Sequence, residues 1–149
     1  LYNLVYASGS LVALGANGTL LTSSDAVTWT AQTTNTTAAL RSLVFAIPTN
    51  ATVGVAIAVG DAVNGVSTLL SSADLVTWTP VSAGGTQSLN AVVYGSRFMA
   101  VGNKGAALYS DDGITWTGAT AGTANLTQLY YGPGMYVAFG ANGAEAIAR

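Results

Sequence analysis

A seven-residue pattern occurs three times in this chain and restricts the fold more than any other feature. The pattern is Ser-x-Asp-x-(Val/Ile)-Thr-Trp, and a further threonine follows each copy. A motif that recurs at such intervals indicates a repeat protein, in which each copy belongs to one structural unit. The shared positions are Ser23, Asp25 and Trp29, then Ser72, Asp74 and Trp78, then Ser110, Asp112 and Trp116.

The similarity between the units extends beyond this motif. Each unit begins with a similar hydrophobic segment, at residues 1–7, 40–46, 89–95 and 126–132. A second hydrophobic segment then ends in a glycine turn. The pairs Asn17-Gly18 and Asn142-Gly143 are typical of hairpin turns whose two central residues have positive φ. Alternating hydrophobic residues and regular turns therefore predict four short antiparallel strands in each unit.

A repeat of four antiparallel strands is typical of the blade of a β-propeller. We therefore predict an all-β fold in a single domain, a β-propeller built of four-stranded antiparallel blades. The blades are expected at residues 1–39, 40–88, 89–125 and 126–149, and the fourth is incomplete because it ends within its third strand. A two-layer β-sandwich is the alternative, but it gives no reason for a repeated tryptophan at a repeated turn.

The residue types of the motif are suited to stabilising a turn. The aspartate can accept hydrogen bonds from backbone amides, the serine hydroxyl can close the same turn, and the tryptophan can cover the apolar base of the hairpin. The three copies resemble the Asp-box, or BNR, repeat of sialidase-like and photosystem-assembly-factor-like β-propellers. That resemblance implies a structural role for the motif, away from any ligand face. The usual glycine remains only as Gly113, and Ala26 and Leu75 replace it in the other copies, which predicts less regular turns there.

The residues needed for catalysis are scarce. Sialidases that resemble this pattern use an arginine triad around the carboxylate of the sugar, a tyrosine nucleophile with a glutamate partner, and an aspartate as the acid/base. Here the arginines are Arg41, Arg97 and Arg149, they do not fall at matching positions, and Glu145 is the one glutamate. The chain has no histidine and no cysteine, which excludes the common nucleophile–base pairs and zinc sites. We predict a protein that is not an enzyme and has no cofactor or metal, although Asp111-Asp112 could bind Ca²⁺ weakly.

The composition argues against several partners. Charged residues make up 7% of the chain and the formal net charge is -2, so no basic surface is available for nucleic acid. The apolar segments are too short for membrane insertion. The scarcity of lysine and glutamate, together with Asn-x-Ser/Thr sites for N-glycosylation, favours an extracellular or cell-surface location. Those sites are Asn17, Asn35, Asn50 and Asn125.

The first strand of each propeller blade lines the central channel, so its opening residues are candidates for ligand binding. Here they are polar and include one aromatic side chain, which suits a neutral sugar or a peptide. The alternative interpretation is that such side chains only fill the channel with their own hydrogen bonds and with water. The candidate residues are Tyr2, Asn3, Arg41, Ser42, Asn90, Thr127 and Gln128.

The incomplete fourth unit bears on the function. Incomplete closure leaves apolar faces or a strand edge exposed, which predicts association. We expect a larger ring, formed with the remainder of a longer chain or with a second copy. A closed four-bladed ring and a head-to-tail filament are the alternatives. The predicted function is a structural or assembly role, and a lectin-like role in binding carbohydrate or peptide at the channel mouth is the alternative.

Overall fold

The computed structural model describes the whole chain, residues 1–149. The fold is all-β and consists of four antiparallel sheets, in each of which the strands follow one another in chain order. The first sheet contains β1 (Asn3–Ala7), β2 (Ser10–Leu14), β3 (Leu20–Ser23) and β4 (Thr30–Ala31). The second contains β5 (Leu40–Ala46), β6 (Val55–Val63), β7 (Val66–Ser72) and β8 (Thr79–Pro80). The third contains β9 (Leu89–Tyr94), β10 (Phe98–Gly102), β11 (Ala106–Ser110) and β12 (Thr117–Thr120), and the fourth contains β13 (Leu126–Gly132), β14 (Met135–Gly140) and β15 (Glu145–Ala148).

Helical structure is limited to two single 3₁₀ turns, Asn103–Gly105 and Ala141–Gly143. No helix has the length and apolar character needed to cross a membrane. Both 3₁₀ turns connect the second and third strands of a sheet, and each contains a residue in the left-handed region, Lys104 and Asn142. The elements that position side chains in this protein are therefore strands and tight turns.

The expected glycine turns are present between the second and third strands. Asn17 and Gly18 have φ values of 53° and 70°, and the N–H of Thr19 donates to the carbonyl of Ala16 at 3.0 Å. Positive φ at both central residues is the geometry of a type I′ turn, whose twist matches that of antiparallel strands. The local sequence thus explains how each hairpin reverses direction.

Hydrophobic side chains hold neighbouring sheets together in three clusters. The first and second sheets share one cluster, the second and third share another, and the third and fourth share the last. The second sheet is consequently buried on both faces. Along β6, Ala56 and Ala58 face the first sheet, whereas Ile57 and Val59 face the third. This two-sided burial explains the continuous apolar sequence of β6.

The order of the sheets in space follows their order in the chain. The first strand of each sheet packs beside the first strand of the next, so that β5 contacts β1, β9 contacts β5, and β13 contacts β9. No comparable packing joins β13 to β1. The first and fourth sheets therefore form the two ends of the array, and each has only one face covered by another sheet.

Candidate functional site

The turns that contain the repeated motif follow the third strand of the first three sheets. In the second sheet, one oxygen of Asp74 accepts hydrogen bonds from the backbone N–H groups of Val76 at 2.9 Å and Thr77 at 2.7 Å. The Ser72 hydroxyl donates to the same oxygen at 3.0 Å and accepts from the N–H of Leu75 at 2.9 Å. The N–H of Asp74 also donates to the Ser72 hydroxyl at 3.3 Å, so the two side chains satisfy four backbone donors of the tight turn.

The other two turns repeat the bonds to the carboxylate. Asp25 and Asp112 each accept from the N–H groups two and three residues further along, at 2.7 to 2.8 Å. Ser23 donates to Asp25 at 3.0 Å, and Ser110 donates to Asp112 at 2.9 Å. All of the paired polar atoms belong to the turn itself, so this geometry stabilises the hairpin and leaves the motif without a reactive partner.

The three motif tryptophans do not have the same surroundings. The indole N–H groups of Trp78 and Trp116 donate to carbonyls of their own turns at 3.1 and 3.2 Å, and the two side chains are 3% and 9% exposed. Trp29 is 37% exposed. The repeat predicts one common role for these residues. Trp29 differs because it lies on the side of the first sheet that no other sheet covers.

The residue after each motif aspartate has a left-handed backbone. Gly113 has a φ of 77°, and Ala26 and Leu75 have φ values of 61° and 63°. A side chain in this region costs about 1 kcal/mol, which the hydrogen bonds of the turn offset. Replacement of the usual glycine therefore does not divert the backbone at these two positions. The Leu75 turn keeps two hydrogen bonds of the Gly113 turn, from the backbone N–H to the motif serine and from the indole to the turn carbonyl. The Ala26 turn has neither bond, so it is the less regular one.

Backbone donors lower the pKa of the motif carboxyl groups. The N–H of Thr28 contributes most to lowering the pKa of Asp25 from 3.8 to about 2, and the N–H of Thr77 does the same for Asp74, whose pKa also falls to about 2. The pKa of Asp112 is lowered mainly by backbone hydrogen bonding, with partial burial acting in the opposite direction. The folded turns thus favour the ionised carboxylates.

These pKa values predict that stability depends on pH in the acid range. Because the folded-state pKa lies below the unfolded value, the carboxylates contribute stability that is complete above about pH 5 and is lost as the pH falls towards about pH 2. We expect the thermal midpoint to stay level from about pH 7 to pH 5 and then to fall steadily. Circular dichroism melts at several pH values measure this directly.

The control for this prediction is a pair of conservative substitutions. Asp74→Asn removes one of the shifted groups, so we expect a smaller fall of the midpoint on acidification. Asp111→Asn changes a neighbouring carboxyl that accepts no turn amide and pairs only with Arg97 at the surface, so it should change the slope less than Asp74→Asn does. A midpoint that stays level to about pH 2 in the unmodified chain would contradict the prediction.

The opening residues of the first strands are bonded from sheet to sheet. The Asn3 side-chain amide donates to the carbonyl of Arg41 at 3.3 Å, which links the first sheet to the second. The Ser42 hydroxyl accepts a backbone N–H from β9 at 3.2 Å. The Asn90 amide donates to the carbonyl of Leu126 at 2.8 Å. Three of the candidate binding residues therefore use polar groups to join adjacent strands.

Other candidate residues in this region bond within the fourth sheet. The Thr127 hydroxyl lies 3.5 Å from the carbonyl of Phe139, to which it donates. The Gln128 carbonyl oxygen accepts from the Tyr130 hydroxyl at 3.4 Å. These contacts are long, and all four side chains lie at the surface. Binding of carbohydrate or peptide at this mouth stays a prediction.

Arg41 is held by a partner that the sequence analysis did not select. Its Nε and Nη2 donate to the two carboxylate oxygens of Asp61 at 2.6 and 2.9 Å. Hydrogen bonding to Asp61 raises the pKa of Arg41 above its usual value. The guanidinium also lies 5.9 Å from the centre of the Tyr2 ring. Asp61 follows Gly60, which pairs with Leu40, so only the strand register brings the two charges together.

The arginines are not gathered around one site. Arg41 lies at the start of β5, whereas Arg97 lies in the turn before β10, at the opposite end of the strands. The Nε of Arg97 is 3.2 Å from Asp111, and its guanidinium lies 5.0 Å from the centre of the Tyr109 ring. No group of three or more side chains that could hold a metal ion comes together.

The four candidate glycosylation sites are all exposed. Asn17 lies in a turn and Asn35 in the loop between β4 and β5, both with positive φ, and Asn50 lies in the loop between β5 and β6. The Asn125 side-chain oxygen accepts a hydrogen bond from the N–H of Lys104 at 2.9 Å. Each side chain is accessible at the surface, as a glycan acceptor must be.

The outer face of the first sheet is apolar and uncovered. Leu4 is 59% exposed, whereas Leu43, at the same place in the second sheet, is 5% exposed because it packs against the first sheet. Leu4 and Trp29 line a surface groove of about 410 Å³ together with Ala13 and Leu21. We call this surface the leading face. The incomplete fourth unit predicts exposed faces in general terms, but the sequence does not identify these side chains.

The opposite end of the array has a second uncovered face, on the fourth sheet. Phe139 is 42% exposed, whereas Val101, its counterpart in the third sheet, is 1% exposed. Tyr130 and Ile147 are exposed beside it, and the Tyr130 and Phe139 rings are in edge contact with centres 6.2 Å apart. We call this surface the trailing face. At each internal junction, a trailing face of this type covers a leading face of the next sheet.

Comparison with protein-family models and with curated protein sequences finds no match for this chain.

Proposed function

We propose that this protein is a non-enzymatic, extracellular or cell-surface module with a structural role, built of Asp-box repeats in a β-propeller. Its leading and trailing faces pack against further sheets of the same kind, in a larger ring or polymer. The observation that carries the proposal is the exposure, at the two ends, of apolar positions that are buried at all three internal junctions.

The chemistry of the two faces supports this packing. Exposed apolar patches on soluble proteins mark surfaces that become covered. Leu4 and Trp29 belong to the leading face, and Tyr130 and Phe139 belong to the trailing face. Each internal junction already joins the trailing side of one sheet to the leading side of the next. The trailing face of one copy is therefore expected to match the leading face of another. This pairing is heterologous, so it closes into a ring or extends as a filament according to the angle between successive copies.

The remaining polar groups support a structural rather than a catalytic role. The motif carboxylates accept turn amides, the amides of Asn3 and Asn90 join neighbouring strands, and Arg41 is paired with Asp61. Few charged groups remain for chemistry. The low charge of the chain and the exposure of its four sequons support a location outside the cell.

Sedimentation of the chain at increasing concentration tests the proposal. We expect monomer to convert into larger species, because burying an apolar face stabilises the associated form. Leu4→Lys places a charge on the leading face, and Phe139→Lys places one on the trailing face. Each variant alone should remain monomeric. Val66→Lys is the matched control, since Val66 is also exposed but lies at the β6–β7 turn, outside both faces.

Mixing the two face variants gives a sharper result. The Leu4→Lys chain keeps an intact trailing face, and the Phe139→Lys chain keeps an intact leading face. An equimolar mixture should therefore form a heterodimer and nothing larger. A chain that stays monomeric at all concentrations, or oligomers that persist in both variants, would show that these faces do not mediate assembly.

A further inference from the structure

Two asparagine–glycine pairs occupy the turn between the second and third strands, one in the first sheet and one in the second. Asn17-Gly18 connects β2 to β3, and Asn64-Gly65 connects β6 to β7. The φ values are 53° and 70° in the first pair and 51° and 75° in the second. Both asparagines are exposed. The two pairs therefore share one local backbone, and any difference in their reactivity comes from their surroundings.

An asparagine followed by glycine can lose its side-chain amide in water. The backbone nitrogen of the glycine attacks Cγ of the asparagine and closes a succinimide ring. The C–N bond of the side-chain amide breaks, and its nitrogen leaves as ammonia with the proton that the glycine N–H gives up. Water then opens the ring at either carbonyl, which leaves aspartate or isoaspartate. Glycine favours ring closure because no Cβ atom shields its nitrogen.

In the first sheet, the glycine of the pair is held in place. Gly18 is buried, and its N–H donates to the carbonyl of Ala38 at 2.7 Å. The Thr34 hydroxyl donates to the carbonyl of Gly18 at 2.8 Å. A Cβ atom on Gly18 would overlap the carbonyl of Thr36. The loop between β4 and β5 thus binds the attacking nitrogen and surrounds it.

In the second sheet, the hairpin is longer and its tip has no such neighbours. Three residues separate Gly15 from Thr19 in the first sheet, whereas seven separate the paired residues Gly60 and Thr68. The N–H of Gly65 donates to no carbonyl, and no atom lies within 4 Å of a Cβ built on it. The second sheet is covered on both faces by other sheets, so the freedom of this tip does not depend on the ends of the array.

Ring closure requires the turn to open locally, because the glycine nitrogen must swing towards Cγ of the asparagine. At the tip of the second hairpin, opening disturbs the terminal pair of Val63 with Val66. At Asn17, it must also break the hydrogen bonds of Gly18 to the loop before β5. Local opening occurs more often where fewer contacts and hydrogen bonds are lost.

We propose that Asn64 is a site of spontaneous deamidation in the folded protein, and that the loop between β4 and β5 protects Asn17 from the same reaction. The product adds one negative charge to a chain whose formal net charge is -2. Where isoaspartate forms, the backbone of a two-residue turn also gains a methylene group. The site lies apart from the leading and trailing faces, so it does not rest on the proposed assembly.

Incubation of the unglycosylated chain in mildly alkaline buffer, followed by trypsin digestion and mass spectrometry, tests the proposal. Cleavage after Arg41 and Arg97 places Asn17 and Asn64 in separate peptides, and deamidation replaces NH₂ by OH in the mass. We expect Asn64 to convert at least about tenfold faster than Asn17, since two hydrogen bonds of Gly18 must open first. Asn64→Gln should abolish the mass change in its peptide. Equal rates at the two pairs, or no conversion at Asn64, overturns the proposal.

Unfolding separates the effect of the structure from that of the sequence. In concentrated urea both pairs should convert at similar rates, because neither turn is then held. Protection of Asn17 that persists in urea would overturn the proposal. In the folded chain, Leu4→Lys alters only the leading face and should leave the difference between the two rates unchanged. A difference that disappears in this variant would show that association, rather than the loop, protects Asn17.

Discussion

Replacing Trp78 with alanine is expected to lower the free energy of unfolding by about 3 to 5 kcal/mol. Trp78 is buried in the cluster that joins the first two sheets, and its indole N–H donates to the carbonyl of Leu75. Truncation leaves a cavity between the sheets and an unpaired carbonyl in the turn. The same substitution at Trp29 should lower the free energy of unfolding by only about 1 kcal/mol, because no sheet covers that side chain.

Chemical denaturation at low protein concentration measures both values. The low concentration matters because association through the leading face would bury Trp29 and raise its apparent contribution. Trp116 is a second buried tryptophan, so Trp116→Ala should lower the free energy of unfolding by about as much as Trp78→Ala. A loss at Trp29 as large as that at Trp78 under these conditions would contradict the description of the first sheet as an uncovered end.

Replacing Gly105 with alanine is expected to lower the free energy of unfolding by about 3 kcal/mol. Gly105 has a φ of 71°, so a side chain at this position is already strained. A Cβ atom there would also overlap the carbonyl of Gly122, in the loop that leads to the fourth sheet. That loop cannot retreat freely, because the N–H of Gly105 donates to the carbonyl of Ala124 at 2.7 Å.

Gly143 supplies the matched control for this substitution. It occupies the same turn in the fourth sheet and has a φ of 73°, but no atom lies within 4 Å of a Cβ built on it. Gly143→Ala should therefore cost only the backbone strain, about 1 kcal/mol. Urea denaturation measures the free energy of unfolding of both variants. The loss in Gly143→Ala gives the cost of backbone strain, and the additional loss in Gly105→Ala gives the cost of the steric overlap. Equal losses would mean that the loop before β13 moves aside without penalty.

Much of the local structure could be predicted from short-range patterns. The all-β fold and its antiparallel sheets are confirmed, because alternation of apolar residues and glycine turns depend on neighbours within a few residues. The motif turns could also be predicted from short-range patterns. The carboxylate of Asp74 and the amides that it accepts lie within three residues of one another, so the chemistry of the motif suffices to predict their contact.

The candidate binding residues could be predicted only as a group of polar positions. Arg41 and Asp61 are twenty residues apart, and they meet because Leu40 pairs with Gly60. Asn90 is bonded to a carbonyl thirty-six residues away. Contacts of this kind depend on strand register and on the packing of one sheet against the next, which no local pattern specifies.

The amino-acid sequence by itself determined the repeat, its strands and the hydrogen-bonded turns, since these arise from interactions between residues close together in the chain. Tertiary structure alone decided which copies of equivalent residues are covered. Trp29 and Trp78 have the same motif around them, and they differ because a sheet lies against one and not against the other. Burial depends on the neighbouring surface rather than on the residue, so the two end faces became visible only once the sheets were packed in order.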